Sequence, residues 1–217
     1  TVGKPIACLT AKIVDAEDKE LPPGVEGEVW IKGDTVMKGY YRDEEKTKAV
    51  LTPDGWFKTG DIGLLTIDGD LVLRGRVKDT IVLRGGENIE PVPIEMKLQE
   101  SQLINTAVVV GQDQRNLAAL IVVDDVSLKQ WLKENNISYT DFDEVLLSDE
   151  VQNLYASEIR SLISAKNGFK MFEMIGKFKL LSKRFEVGVE LSIKTEVMRN
   201  KIPGLYEKEL KELFSDK

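Results

Sequence analysis

The sequence predicts an α+β fold in two parts: a small, mostly β first part, then a compact second part with a short sheet flanked by helices. Three observations carry this. Up to residue 77 the chain alternates short apolar runs with Gly, Pro and Asp turns and offers one short helical stretch. Beyond Lys78, strand-like runs alternate with segments of helical spacing. Neither part contains an internal repeat or a low-complexity tract, which places the boundary near Lys78.

Residues 11–14 and 28–32 have strand composition, and Pro22-Pro23-Gly24 with Gly27 marks the loop between them. In GYYRDEEKTKAVL, Asp43 is a candidate N-cap, followed by acidic and then basic residues; a short helix fits, and Pro53-Asp54-Gly55 ends it. Trp56 to Gly60 then leads into a hairpin over residues 61–79, DIGLLTIDGDLVLRGRVKD. Its apolar runs flank Asp68-Gly69, and a two-residue turn centred on that pair sets Asp61 opposite Arg76. Gly60 allows either close approach to a ligand or a sharp turn after a packed aromatic. In the second part, residues 80–83 read as a strand and Pro93 as the first helical position before 94–100. Residues 106–110 and 117–123 read as strands. A helix over 128–134 takes Ser127 as its cap, and a longer one over 151–163 stops at Asn167-Gly168. Residues 178–187 read as extended, and Pro203 starts a terminal helix carrying Tyr206, Leu210, Leu213 and Phe214.

Composition narrows the function. A formal net charge of -7, with no Lys/Arg cluster interleaved with aromatics, argues against a nucleic-acid binder. The single cysteine, Cys8, excludes an intrachain disulfide and suits a reducing compartment, so a cytoplasmic location is expected. The longest apolar run, 117–123, is far shorter than a membrane span, and no signal peptide is evident. Without histidine the chain has no Ser-His-Asp or Cys-His catalysis and few routes to zinc, and no metal site is expected. It begins at Thr1 without methionine, as a fragment would.

VMKGYYRDEEKT, GWFKTGD, LRGRVKDTIVLRGGENIEPVPIE and AVVVGQDQRNLAALIV resemble, in this order, the C-terminal part of adenylate-forming enzymes: acyl-CoA synthetases, peptide-synthetase adenylation domains and luciferase. GGENIEPVPIE followed by VVVGQDQRNLAALIVVD is most similar to long-chain fatty acid–CoA ligases. The resemblance implies that residues 1–77 are the C-terminal β portion of a large AMP-binding domain and 78–217 the mobile C-terminal domain. It implies a full-length ligase that converts a fatty acid and ATP to an acyl-adenylate, then transfers the acyl group to CoA by domain alternation. ATP/AMP, CoA and Mg2+ are implied for that enzyme, with none expected to bind this fragment tightly. The phosphate loop, the magnesium-holding Tyr-Gly-x-Thr-Glu segment and the acyl pocket of relatives would lie in a missing N-terminal domain, so the isolated chain is expected to be inactive. A non-catalytic regulatory or adaptor module of the same fold and an acyl-acyl-carrier-protein ligase are the alternatives. Peripheral membrane association of the parent protein is left open.

Residue by residue, the resemblance makes Asp61 the ligand of the ribose hydroxyls and Arg76 a second ribose contact; the competing reading is a cross-strand salt bridge. Lys78 takes the hinge position, where otherwise it is a solvated surface lysine. Gly85, Gly86, Glu87 and Asn88 form the loop that lines the CoA channel, against a simple tight turn; GxxxxGK[ST] is absent, so this is no phosphate loop. The family's catalytic lysine falls on Glu196. Lys194 lies two residues earlier and, if the segment is extended, on the same face, from which it can substitute. The competing reading makes Lys194 and Glu196 a solvated strand face.

Overall fold

In the computed structural model, which describes residues 1–215, β1 (Leu9–Val14) and β2 (Gly27–Gly33) run antiparallel and bury Ile13, Val14, Val29 and Trp30. The short helix α1 (Glu44–Val50) is capped by Asp43, whose carboxylate accepts from the Lys46 N–H at 3.0 Å. β3 (Phe57–Leu65) and β4 (Leu71–Arg76) complete an antiparallel sheet of order β1-β2-β3-β4. The Lys12 ammonium lies 4.4 Å from the Trp56 ring centroid and 4.9 Å from that of Trp30, so Trp56 is a packed aromatic. A 3-10 turn, Val77–Asp79, follows. These elements make one of two structural units, Thr1–Thr80 and Ile81–Lys217.

The β3–β4 hairpin corrects the expected turn. Thr66 N–H donates to the Asp70 carbonyl at 2.8 Å and Gly69 N–H to the Thr66 carbonyl at 2.9 Å, so Ile67, Asp68 and Gly69 form a three-residue loop with Gly69 at φ +83°. The Thr66 hydroxyl favours this loop by accepting from Asp70 N–H at 3.0 Å. Leu65 therefore faces Leu71, one residue away from the expected pairing. A bulge at Arg74 then adds one residue to β4 and brings Asp61 opposite Arg76 after all. The expected pair forms because two departures cancel.

The same loop recurs at 15–19, 52–56, 83–87 and 192–196. In each, the first residue donates to the fifth carbonyl and the fourth donates to the first. The fourth residue is left-handed each time: Asp18, Gly55, Gly69, Gly86 and Thr195. Except at 83–87, a side-chain oxygen of the first residue accepts from the fifth N–H.

The second unit opens with a hairpin of β5 (Ile81–Val82) and β6 (Asn88–Ile89). In α2 (Pro91–Leu98) the first helical residue is Pro91 rather than Pro93; both prolines fit a first turn whose N–H groups need no helical partner. β7 (Ile104–Val110) and β8 (Leu117–Val123) are antiparallel. The helix after β8 is α3 (Asp125–Glu134), and its cap is Asp124, which accepts from Ser127 N–H at 3.0 Å; the expected cap Ser127 is the donor. α4 (Phe142–Val145) precedes α5 (Asp149–Leu162), capped by Ser148. α5 ends before Asn167-Gly168, which belong to a separate 3-10 turn closed by Gly168 at φ +86°. β9 (Ile175–Leu181) lies parallel to β8, giving the order β7-β8-β9. The extended segment stops at Leu181 and not at 187, because its partner β8 ends there; further on, the Glu186 carbonyl draws in the N–H groups of Val189, Glu190 and Leu191 and turns the chain. The terminal helix is divided at Tyr206 (φ -120°) into α6 (Ile202–Leu205) and α7 (Glu207–Phe214).

β8 is buried along its whole length, because the sheet is covered on both faces. One face packs on Ile94, Leu98, Leu128, Tyr155 and Ile159, the other on Phe185, Ile202 and Leu213. Two polar anchors hold the C-terminal segment. The Glu95 carboxylate accepts from Val109 N–H at 2.7 Å and pairs with Arg199, whose guanidinium also donates to the Val109 carbonyl at 3.4 Å. The Glu190 carboxylate accepts from Glu186 N–H and from the Tyr206 hydroxyl, both at 2.9 Å.

Two stability predictions follow from these features. Thr195 is β-branched yet sits at φ +61°, where the equivalent loop at 83–87 uses Gly86. Thr195→Gly should raise stability by about 0.5–1 kcal/mol in urea denaturation, strain relief outweighing the added freedom of the unfolded chain; an unchanged or lower midpoint contradicts this. Burial pushes the Glu190 carboxyl up, but the Glu186 N–H and the Tyr206 hydroxyl outweigh it and hold the group below its ordinary 4.5. Stability from a depressed carboxyl is complete above the unfolded value and is lost as pH falls through the folded one. Glu190→Gln should therefore lower the urea midpoint at pH 7, and its deficit should shrink as pH drops below about 4. A deficit independent of pH would assign the effect to shape rather than charge.

Candidate functional site

In the first unit the site is built around a break in the β2–β3 ladder. Glu28 faces Ile62 and Trp30 faces Lys58, so Val29 stands opposite Thr59, Gly60 and Asp61 together. Side chains serve the displaced backbone. Gly60 N–H donates to Glu28 Oε1 at 3.1 Å, and Asp61 N–H donates to the Thr59 hydroxyl oxygen at 3.0 Å. That hydroxyl donates in turn to the Val29 carbonyl at 2.7 Å. Gly60 is at φ +71°, which is the reason for a glycine at this point.

Asp61 emerges from this break facing Arg76, and its carboxylate lies 3.2 Å from Arg76 Nε. The side chains are 32% and 57% exposed. An ion pair this open is worth about 0.2–1 kcal/mol, little enough that two ligand hydroxyls can compete for the carboxylate. Lys78 is exposed in the turn that follows. Glu28 and Thr59 escape sequence reading: a Gly-Glu at a strand start and a Thr-Gly-Asp at the next strand meet only once the ladder breaks.

In the second unit, Arg84, Gly85 and Gly86 are the tip of the tight β5–β6 turn, with Gly86 at φ +91°. A Cβ on Gly85 would collide with the Glu87 carboxylate, which folds back over it. The tip is tied to the β7–β8 connection: Arg84 N–H donates to the Gln114 carbonyl at 2.8 Å, and Val82 N–H to Gln112 Oε1 at 3.0 Å. The Gly85-Gly86-Glu87-Asn88 stretch is thus both a tight turn and a presented loop.

The premise of an extended segment at Lys194 is wrong. Residues 192–196 are a tight turn, because the Ser192 hydroxyl accepts from both Lys194 and Glu196 N–H groups at 3.2 Å and Leu191 pairs with Val197 below it. Lys194 therefore sits at the tip and Glu196 at the base, and the two do not share a strand face. Ile193 beside it is 94% exposed. Among the described residues no group of three or more acidic, Cys or His side chains gathers in one place.

Comparison with known proteins gives this geometry its context. A family model described as AMP-binding enzyme matches residues 1–41, and one described as AMP-binding enzyme C-terminal domain matches residues 78–217. The chain is 37% identical, over 99% of its length, to a chloroplastic Arabidopsis thaliana protein named a probable acyl-activating enzyme. It is 42% identical, over 61%, to a chloroplastic long-chain-fatty-acid–[acyl-carrier-protein] ligase of the same plant. Against a long-chain-fatty-acid–CoA ligase of Mycobacterium tuberculosis the figures are 33% and 96%. It spans 31%, 21% and 34% of these proteins' lengths. The adenylation domain of a carboxylate reductase from Mycobacterium chelonae shares the fold, with a TM-score of 0.80 and 23% identity over 99% of this chain and 32% of that one. Two family models covering most of its length and relatives that match it nearly end to end lead to one conclusion: the chain belongs to the AMP-binding, adenylate-forming enzymes and carries their C-terminal domain.

Proposed function

We propose that this chain is the C-terminal part of an AMP-forming long-chain fatty acid–CoA ligase, with residues 1–77 closing a large AMP-binding domain and 78–217 forming a mobile second domain. The carrying observation is the Asp61–Arg76 pair, a carboxylate and a guanidinium 3.2 Å apart at the open end of a hairpin. A carboxylate suits two ribose O–H donors, one for each oxygen. Asp61 then holds the ribose of ATP, with Arg76 as a second contact.

Lys78 is the hinge. The Gly85-Gly86-Glu87-Asn88 tip lines the CoA channel in the thioester-forming arrangement, where its narrow backbone leaves room for a thin ligand. Lys194 supplies the cation for adenylation: as the carboxylate of a fatty acid attacks the α-phosphate, negative charge builds on the phosphoryl oxygens and an ammonium stabilises it. Its place at a turn tip supports this, since the side chain is presented rather than packed. Any magnesium is held outside this chain. The exposed Cys8 suits a reducing cytoplasm. A carrier-protein thiol is the alternative acceptor, supported by the identity to a relative with that acceptor in its name. Glu196 in the place of the family's lysine supports a second reading, a non-catalytic module of the same fold.

The isolated chain should show no ATP–pyrophosphate exchange; measurable exchange by these 217 residues alone would refute the division of labour. In the complete enzyme, Lys194→Ala should cut adenylation by at least about 100-fold, the size typical of losing one charge-stabilising group, while supplied acyl-adenylate is still converted to thioester. Undiminished exchange in that variant would remove Lys194 from the mechanism, and its absence from the parent enzyme too would favour the module.

A further inference from the structure

We infer that Glu28 and Thr59 are positioning residues that aim the Asp61 carboxylate at a ribose diol, an inference that rests on the nucleotide role proposed above. With Val29 alone opposite Thr59, Gly60 and Asp61, the N–H groups of Gly60 and Asp61 are held by side chains instead of by regular strand pairing. Glu28 Oε1 accepts from one at 3.1 Å, from the neighbouring strand. The Thr59 hydroxyl accepts from the other at 3.0 Å while donating to the Val29 carbonyl at 2.7 Å, which fixes the direction of its own proton.

The excursion would otherwise be soft. Gly60 has open space where a Cβ would stand, so no side-chain packing of its own helps to hold the backbone. Two hydrogen bonds, at its own N–H and at that of Asp61, hold the backbone here. Asp61 is the next residue, and the direction of its Cα–Cβ bond follows from the Gly60 conformation. Ribose recognition needs both carboxylate oxygens presented to two vicinal hydroxyls, a geometry that a modest rotation spoils. Arg76 alone does not supply it, because the pair is half open to water and comes no closer than 3.2 Å.

The test measures diol recognition rather than nucleotide affinity alone. In the complete enzyme, AMP and 2′,3′-dideoxy-AMP are titrated calorimetrically. Asp61→Ala should abolish the preference for AMP. Glu28→Ala should weaken AMP by on the order of tenfold, the equivalent of one hydrogen bond to a charged group, and leave dideoxy-AMP unchanged. Glu28→Gln retains the carbonyl acceptor and should restore AMP binding. Thr59→Val, nearly isosteric, should reproduce the Glu28→Ala pattern and serves if that variant does not fold. If Asp61→Ala keeps the parent's preference, the nucleotide reading itself fails. If Asp61→Ala loses it while Glu28→Ala and Thr59→Val keep it, the positioning inference fails alone. An equal loss for both nucleotides in the Glu28 and Thr59 variants also overturns it, because that is the mark of general damage to the fold.

Discussion

A backbone amide that leaves a sheet ladder has to be satisfied elsewhere, and the candidate site lies where this constraint is met by side chains. At the β2–β3 break, a carboxylate and a hydroxyl take up the N–H groups of Gly60 and Asp61. On the other side of the same strand, the β4 bulge at Arg74 shifts the register and brings Arg76 beside Asp61. Asp61 thus stands between two irregularities on opposite edges of one strand. Regular pairing would have delivered a flat sheet with neither an exposed carboxylate at this point nor a cation beside it.

The second unit meets the same constraint at β7. The N–H and carbonyl of Val109 are taken up by Glu95 and Arg199 instead of by another strand. Side chains satisfying an edge in this way also deny it to a foreign strand. Arg199 follows the Lys194 turn closely, and Glu190, held by Tyr206, precedes it. The turn is therefore fastened at both ends while its tip projects, which is the arrangement a presented cation needs.

How much of this was legible in the sequence depends on the range of the interaction involved. Asp43 as a cap, the two strands of the first hairpin and the apolar run of β8 are local patterns, and each formed where it was read. Ser127 is not the cap because the helix begins three residues earlier, where the Asp124 carboxylate accepts from Ser127 N–H and puts Ser127 inside the first turn. The Asp61–Arg76 pairing was reached through a turn that does not exist, since neither the three-residue loop nor the compensating bulge leaves a periodic trace. Gly85 and Gly86 were visible as glycines, but their different duties, room for Glu87 and a left-handed φ, needed the folded loop. Lys194 and Glu196 were misread for a related reason: Thr195 in a left-handed conformation is what no propensity scale anticipates, and it converts a strand into a turn. The resemblance to a family supplied roles that local chemistry alone left open.

β8 has one further consequence, for the order of assembly. Its antiparallel neighbour β7 is close in sequence, but its parallel neighbour β9 arrives only after α3, α4 and α5 have been made. The pair that ties β7 to the C-terminal segment joins residues 104 positions apart. Closing such long loops costs entropy before any contact repays it. During synthesis the central strand therefore waits with one face uncovered until the segment carrying Phe185, Ile202 and Leu213 follows it, and the turn that carries Lys194 lies within that segment.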